Sequence, residues 1–286
     1  MRKTILPALS VVVLASVGAF GLACEPGSEQ ERVESPAEAV ADPSRPGTQE
    51  DKIRSAIEAQ REKARHAKGR VGILAEKSRY SLFDEELIIR DFFQDRRGGF
   101  FLDVGCAWAV RANNTYYLEK HLGWKGIGID ALAEYGPEWK KERPASRFFS
   151  YLVTDRSGVE ETFFKSPESG LSSTQRGMAS GKQFGLDLEP EQVHIETITL
   201  DDLLDREGVT KIDLLAMDIE GHEPKALAGF DIERFQPELA VIERPPDSAR
   251  GGEGDVYRYF EQHGYELIEK YLSFDAVNIY FKRKER

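Results

Sequence analysis

Phe100 to Val104 is an apolar run that carries Asp103 near its end, and Gly105 follows at once. Asp130 ends the run Gly126 to Ile129, Asp155 follows Arg147 to Val153, and Asp218 follows Lys211 to Met217. A carboxylate that closes a buried strand is disposed toward the ligand edge of a sheet, and one at the second strand is placed to grip ribose hydroxyls. A glycine beside it lets a ligand come close to bare backbone. Each aspartate alone has an ordinary reading as a helix cap. Four in register point to a nucleoside-cofactor site.

The second group is Asp218, Glu220, His222 and Glu223. A histidine beside carboxylates is a candidate proton acceptor. It is equally a surface histidine on the first turn of a helix, and both readings stay open here. The spacing fits none of the common zinc patterns, so no metal is assigned; a hard-cation site at Asp218 and Glu220 is left open. Ser172 and Ser173 lack the strand-turn-helix context of a hydrolase nucleophile. Gly105 stands alone where a dinucleotide fold needs G-x-G-x-x-G, which argues against a nicotinamide enzyme. A cofactor without pyrophosphate, such as S-adenosylmethionine, remains.

These residues need a frame that holds strand ends together. Phe100 to Val104, an amphipathic segment from about Asn113 to His121, and Gly126 to Ile129 read as strand, helix, strand. A helical spacing of large apolar residues from Tyr80 to Phe93 precedes them, closed by Arg96-Arg97-Gly98-Gly99. Later come a helix over Glu134 to Glu142, a third strand over Arg147 to Val153 and an edge strand over Glu160 to Phe164. Ser166 to Gln183 is Ser- and Gly-rich with no period and reads as a mobile loop of functional length. Val193 to Leu200 alternates as a strand, Asp201 to Glu207 is a short helix, and Lys211 to Met217 and Leu239 to Ile242 are core strands. Asp255 to His263 reads as a helix, and Tyr265 to Glu269 pairs with Asn278 to Phe281. Alternating strands and helices with a terminal antiparallel pair imply an α/β fold, its mostly parallel sheet covered on both faces.

A formal net charge of -11 over 286 residues argues against a general nucleic-acid binder, which needs a basic face. Met1-Arg2-Lys3 leads an apolar run from Ile5 to Ala23 and then Cys24, the layout of a secretory signal. Gly21-Leu22-Ala23-Cys24 resembles a bacterial lipobox. Either Cys24 carries lipid after cleavage or residues 1–24 stay as an uncleaved anchor, and both place the remainder outside the cytoplasmic membrane. Residues 25–50 are rich in Pro, Glu, Ser and Ala and read as a disordered tether. Residues 51–79 read as a charged helical segment, and 80–286 as the folded domain. With only Cys24 and Cys106 in the chain, no disulfide framework is expected.

Several stretches, in order, resemble the FkbM-type S-adenosylmethionine-dependent methyltransferases. They are Tyr80-Ser81 with Glu85 and Leu87-Ile88, Phe101-Leu102-Asp103-Val104-Gly105, Asn114-Thr115-Tyr116 with Leu118-Glu119, and Gly123 to Ile129. They continue through Val153-Thr154-Asp155 with Gly158, Gly170-Leu171-Ser172-Ser173, Thr199 to Leu203, and Lys211-Ile212-Asp213 to Met217-Asp218-Ile219-Glu220-Gly221. The resemblance implies a Rossmann-like class I methyltransferase: a three-layer sandwich around a seven-stranded, mostly parallel sheet with a reversed C-terminal hairpin. It implies methyl transfer from S-adenosylmethionine to a hydroxyl, on a sugar, glycoconjugate or other small molecule. In that reading Asp103 and Gly105 line the methionine and ribose end with Asn114 among the cofactor-binding residues, Asp130 takes the ribose hydroxyls, and Asp155 lies near adenine. Asp218 and Glu220 face the acceptor, and Asp218 or His222 accepts its proton.

The chain departs from the family's Asp-Val-Gly-Ala-Asn-Asp-Gly turn, with Trp108 and Ala109 where the acid and second glycine belong. Leu82 also stands where a glutamine is common. These departures and the exported N-terminus give the second expectation, a membrane-tethered binding protein that kept the fold and lost turnover. The partners expected are a small-molecule or glycan acceptor and, through the N-terminal segment or lipid on Cys24, a membrane.

Overall fold

The structure, a computed structural model, describes residues 71–168, 170–182, 185–244, 252–275 and 277–284. The expected signal or anchor, the tether and residues 51–70 of the charged segment lie outside the described residues. Residues 72–75 of that segment form one 3-10 turn, and Leu74 is already buried against the core.

Strands β1 (Phe100–Val104), β2 (Lys125–Asp130) and β3 (Arg147–Ser150) pair in parallel on one side. Strands β7 (Leu214–Met217) and β8 (Leu239–Glu243) continue in parallel from β1 on the other. β9 (Tyr265–Leu267) and β10 (Asn278–Arg283) complete the order β3-β2-β1-β7-β8-β10-β9, with β10 antiparallel to both its neighbours. This is the seven-stranded, mostly parallel sheet with a reversed final hairpin that the resemblance implies.

The central strands are nearly continuous apolar runs because they are covered twice. On one face Leu102, Val104, Ile129, Leu215, Met217 and Ile242 pack under helices Leu200–Arg206 and Gly252–Gln262. On the other, Phe101, Leu214, Leu239 and Val241 pack with helices Glu85–Phe93 and Tyr116–Leu122. The alternation of single residues between two cores is the period of a strand. Thr199 caps the Leu200 helix by accepting from the Asp202 amide at 3.1 Å.

The expected third strand is divided. β3 stops at Ser150, and Leu152–Val153 forms β4 in a second sheet with β5 (Glu160–Lys165) and β6 (Glu191–Ile198), in the order β4-β6-β5. Two other bounds move: the first helix begins at Glu85 rather than Tyr80, and the helix after β1 begins at Tyr116 rather than about Asn113. Residues 110–115 are spent on the turn that shapes the site. The Ser- and Gly-rich stretch carries more order than its composition suggests, with a Phe164–Ser173 bridge and a helical turn at Arg176–Ala179. Among the described residues no helix is long and apolar enough to cross a membrane.

Candidate active site

The ends of β1, β2 and β7 meet at one cleft, and the close contact between two of them dictates the glycine. Gly105 has φ +79°, and a Cβ there would stand 1.8 Å from the Asp218 carbonyl oxygen. Its amide donates to Ile129 O at 2.8 Å, which ties the turn to β2.

The turn that follows is held by Asn113. Its Nδ2 donates to Asp103 Oδ2, Cys106 O and Trp108 O, and its Oδ1 accepts from the amides of Thr115 and Tyr116. Arg143, fully buried, donates to Ala109 O, Asn113 Oδ1 and Thr115 Oγ1 at 3.1 Å each and to Glu119 Oε2 at 2.7 Å. Asp103 belongs to this network. Its carboxylate accepts from Thr115 Oγ1 at 2.7 Å; burial raises its pKa, and the Thr115 bond and Arg143 oppose the rise.

Asp130 is half-buried in the wall of the cleft. Oδ1 accepts from the Leu132 amide at 2.8 Å and Oδ2 from the Ala107 amide at 3.1 Å. Burial pushes its pKa up to about 6 against the pull of those two amides. Ile129, Leu132, Tyr135, Val153 and Phe163 make the apolar wall beside it. Trp108 stands in the same wall, edge-on to Tyr135 with the rings 5.8 Å apart and with the Arg111 guanidinium 4.2 Å from its centroid. The cleft holds about 830 Å³ of atom-free space, its open mouth included.

The loop after β7 brings Asp218, Glu220 and His222 to the same cleft. Glu220 is buried with φ +54°, a left-handed conformation that a glutamate seldom adopts. Glu223 fixes this loop by accepting through Oε1 from the amides of Ile219 and Gly221. His222 is buried, its Nδ1 3.1 Å from Thr174 Oγ1 and its Nε2 3.4 Å from Thr154 Oγ1. Burial, helped by Lys225, lowers its pKa and keeps the ring neutral at pH 7. Burial pushes Asp218 up to about 6, with Asp103 and Asp275 adding to the rise and a bond to Glu243 opposing it.

The structure thus brings Gly105, Asp130, Asp218, Glu220 and His222 to one cleft. Asp103 and Asn114 line a smaller cavity whose wall also includes Gly105 and Asp218. Asp155 does not line the cleft: it is exposed just beyond β4, with Lys225 Nζ 3.9 Å away, and only its charge acts on His222. Asn113, Arg143, Thr174 and Glu243 were not singled out from the sequence. Glu243 carried the same signal as the four aspartates, an acid closing an apolar run; Asn113 and Arg143 carried none, since their partners are backbone carbonyls and side chains remote in sequence.

A sequence model of the methyltransferase FkbM domain matches residues 103–267. Among solved structures the chain is similar to a TehB-like SAM-dependent methyltransferase from Corynebacterium glutamicum, with 18% identity and a TM-score of 0.39 over 71% of this chain and 88% of that one. It is similar also to the fibrillarin pre-rRNA processing protein of Methanococcus jannaschii, with 10% identity and a TM-score of 0.39 over 67% of this chain and 69% of that one. No curated protein sequence matches.

Proposed function

We propose that this chain, which belongs to the FkbM methyltransferase family, is an O-methyltransferase acting on a hydroxyl of a sugar, glycoconjugate or other small molecule. Membership in that family implies S-adenosylmethionine as the cofactor, and the cleft suits it. The observation that carries the reading is that Asp130 and the Asp218 to His222 loop line one cleft together with the bare backbone of Gly105. A carboxylate at the β2 end accepts ribose hydroxyls, and the apolar wall of Ile129, Leu132, Val153 and Phe163 accepts a flat base. Trp108 contributes to that wall.

When bound, the cofactor supplies an electron-poor methyl group on a sulfonium. The protein's own task is alignment and proton handling. His222, neutral and braced between Thr154 and Thr174, accepts the proton of the attacking hydroxyl, while Asp218 and Glu220 hold that hydroxyl in place. Membership in the family does not favour the second expectation, a fold that binds without turnover.

The N-terminal sequence supports the further proposal that the domain works tethered to a membrane, through residues 1–24 or lipid on Cys24, on its outer side. Incorporation of labelled palmitate, lost in Cys24→Ser, tests the lipid.

Calorimetric titration of the protein with S-adenosylmethionine tests the cofactor. Saturable binding is expected, weakened by roughly 1–3 kcal/mol in Asp130→Ala through loss of a charged acceptor. Absence of heat at any concentration removes the reading. Transfer of a labelled methyl group to a glycan or small-molecule extract then tests turnover.

A further inference from the structure

Glu243, at the end of β8, has no role in the reading above. It is fully buried, and neither carboxylate oxygen receives a hydrogen bond from an amide, hydroxyl or amine. The Asp218 carboxylate lies in hydrogen-bonding range of it, but that group is also an acceptor. One oxygen each from Asp218, Glu220 and Glu243 lie within 4.8 Å of one another.

Buried carboxylates face each other only with a proton or a cation between them. One proton shared between Asp218 and Glu243 answers that pair alone. The neighbouring Glu223 adds to the excess, because its Oε2 is also buried without a donor. A single cation answers all three at once. The donor set is oxygen only, with no imidazole or thiolate in it, which selects a hard divalent ion over zinc or copper. Asp218 lines both the main cleft and the smaller cavity, so an ion held there has coordination positions open toward the cleft.

We propose that Asp218, Glu220 and Glu243 bind one hard divalent cation, Mg2+ or Mn2+, whose open positions take an oxygen of the acceptor. The ion draws electron density from that oxygen and eases loss of its proton to His222. This use of the ion rests on the methyl-transfer reading; the ion site itself does not.

The test titrates the metal-stripped full chain with Mn2+ while the paramagnetic resonance signal of the free ion is followed, with neither cofactor nor acceptor present. One saturable site per chain is expected, displaced by Mg2+ and weakened about tenfold or more in Glu243→Gln. Glu223→Gln keeps an acceptor for the Ile219 and Gly221 amides and is expected to bind Mn2+ as the parent does. If Glu243→Gln does not fold, Glu220→Gln reads the same loss. Non-saturable binding, or affinity unchanged in both ligand variants, overturns the proposal. A protein that binds Mn2+ but not S-adenosylmethionine keeps the ion site and loses the methyl-transfer reading.

Discussion

Arg143 donates to Asn113 Oδ1 across 3.1 Å from inside the core, and through that bond the end of the helix Gly136–Glu142, which Arg143 closes, holds the turn after β1. The guanidinium is wholly buried, stacks 4.3 Å from the Trp139 ring, and faces Glu119, whose side chain is also nearly buried. Arg143→Met keeps the bulk and removes every donor. Glu119 and Asp103 then lose their buried positive partner, so a loss of about 3–5 kcal/mol is expected, read as a shift of the urea midpoint. Arg143→Lys is expected to recover little, because one ammonium cannot reach four acceptors in a fork. A midpoint within error of the parent's would show that the network contributes nothing.

Gly105 faces a different obstacle, the backbone of β7. A methyl group 1.8 Å from the Asp218 carbonyl has no flexible side chain to displace, so β1 and β7 must part at their tips. The backbone angle adds its own cost, roughly 1–2 kcal/mol for an alanine at positive φ. Gly105→Ala is therefore expected to lose S-adenosylmethionine binding and to lower thermal stability together. Gly177, where an added Cβ meets nothing within 4 Å, is the control; Gly177→Ala is expected to leave both unchanged.

The parts legible in the sequence were those fixed by local pattern. Apolar runs bounded by acids gave the strands, and because a parallel sheet aligns its strand ends, the acids at β1, β2 and β7 came together. Asp155 stands outside that alignment. Nothing local marks Tyr151 as the residue at which the chain leaves β3 for a second sheet; that departure depends on pairing of Leu152 and Val153 with Thr197 and Ile198, more than forty residues on. Trp108 and Ala109 show the converse. Ala109 is not among the positive-φ residues, and its amide bonds to Glu138 Oε2, so a glycine is not required there. The left-handed positions are Ala107 and Ala112, at φ +41° and +48°. Trp108 joins the cleft wall beside Tyr135 rather than replacing the carboxylate at Asp130.

Asp130 also sets a pH dependence for the cofactor. Burial brings its pKa to about 6 in the free protein, so the charged acceptor is present at pH 7.5 and lost as pH falls through that value. Affinity for S-adenosylmethionine, measured by calorimetry from about pH 8 to 5 with the buffer ionisation heat subtracted, is expected to be flat above the pKa and to fall below it. Asp130→Asn, which cannot change charge, is expected to bind weakly at every pH and to flatten the curve. Retention of the full slope in that variant would assign it to another group.

The same physics acts on stability through Glu85, at the start of the first helix. Its Oε2 accepts from the Phe83 amide at 2.9 Å and its Oε1 from Asn278 Nδ2 at 3.3 Å, but these do not offset burial. Burial, with the Asp275 charge adding to it, pushes the carboxyl up to about 8 from an ordinary 4.5. Between those two values the folded chain binds a proton that the unfolded chain has released, so unfolding loses a proton and the stability falls as pH rises. Glu223, raised to about 7, contributes in the same direction over a shorter span. The unfolding free energy is expected to drop by on the order of a few kcal/mol from pH 5 to 8, followed by urea denaturation at each pH. In Glu85→Gln the amide stays neutral in both states, so that part of the slope disappears and the variant overtakes the parent toward pH 8. An undiminished slope in Glu85→Gln would mean that Glu85 is already ionised in the folded protein, and the pairing of Asn278 with Asp275 would then have to bear a second negative charge.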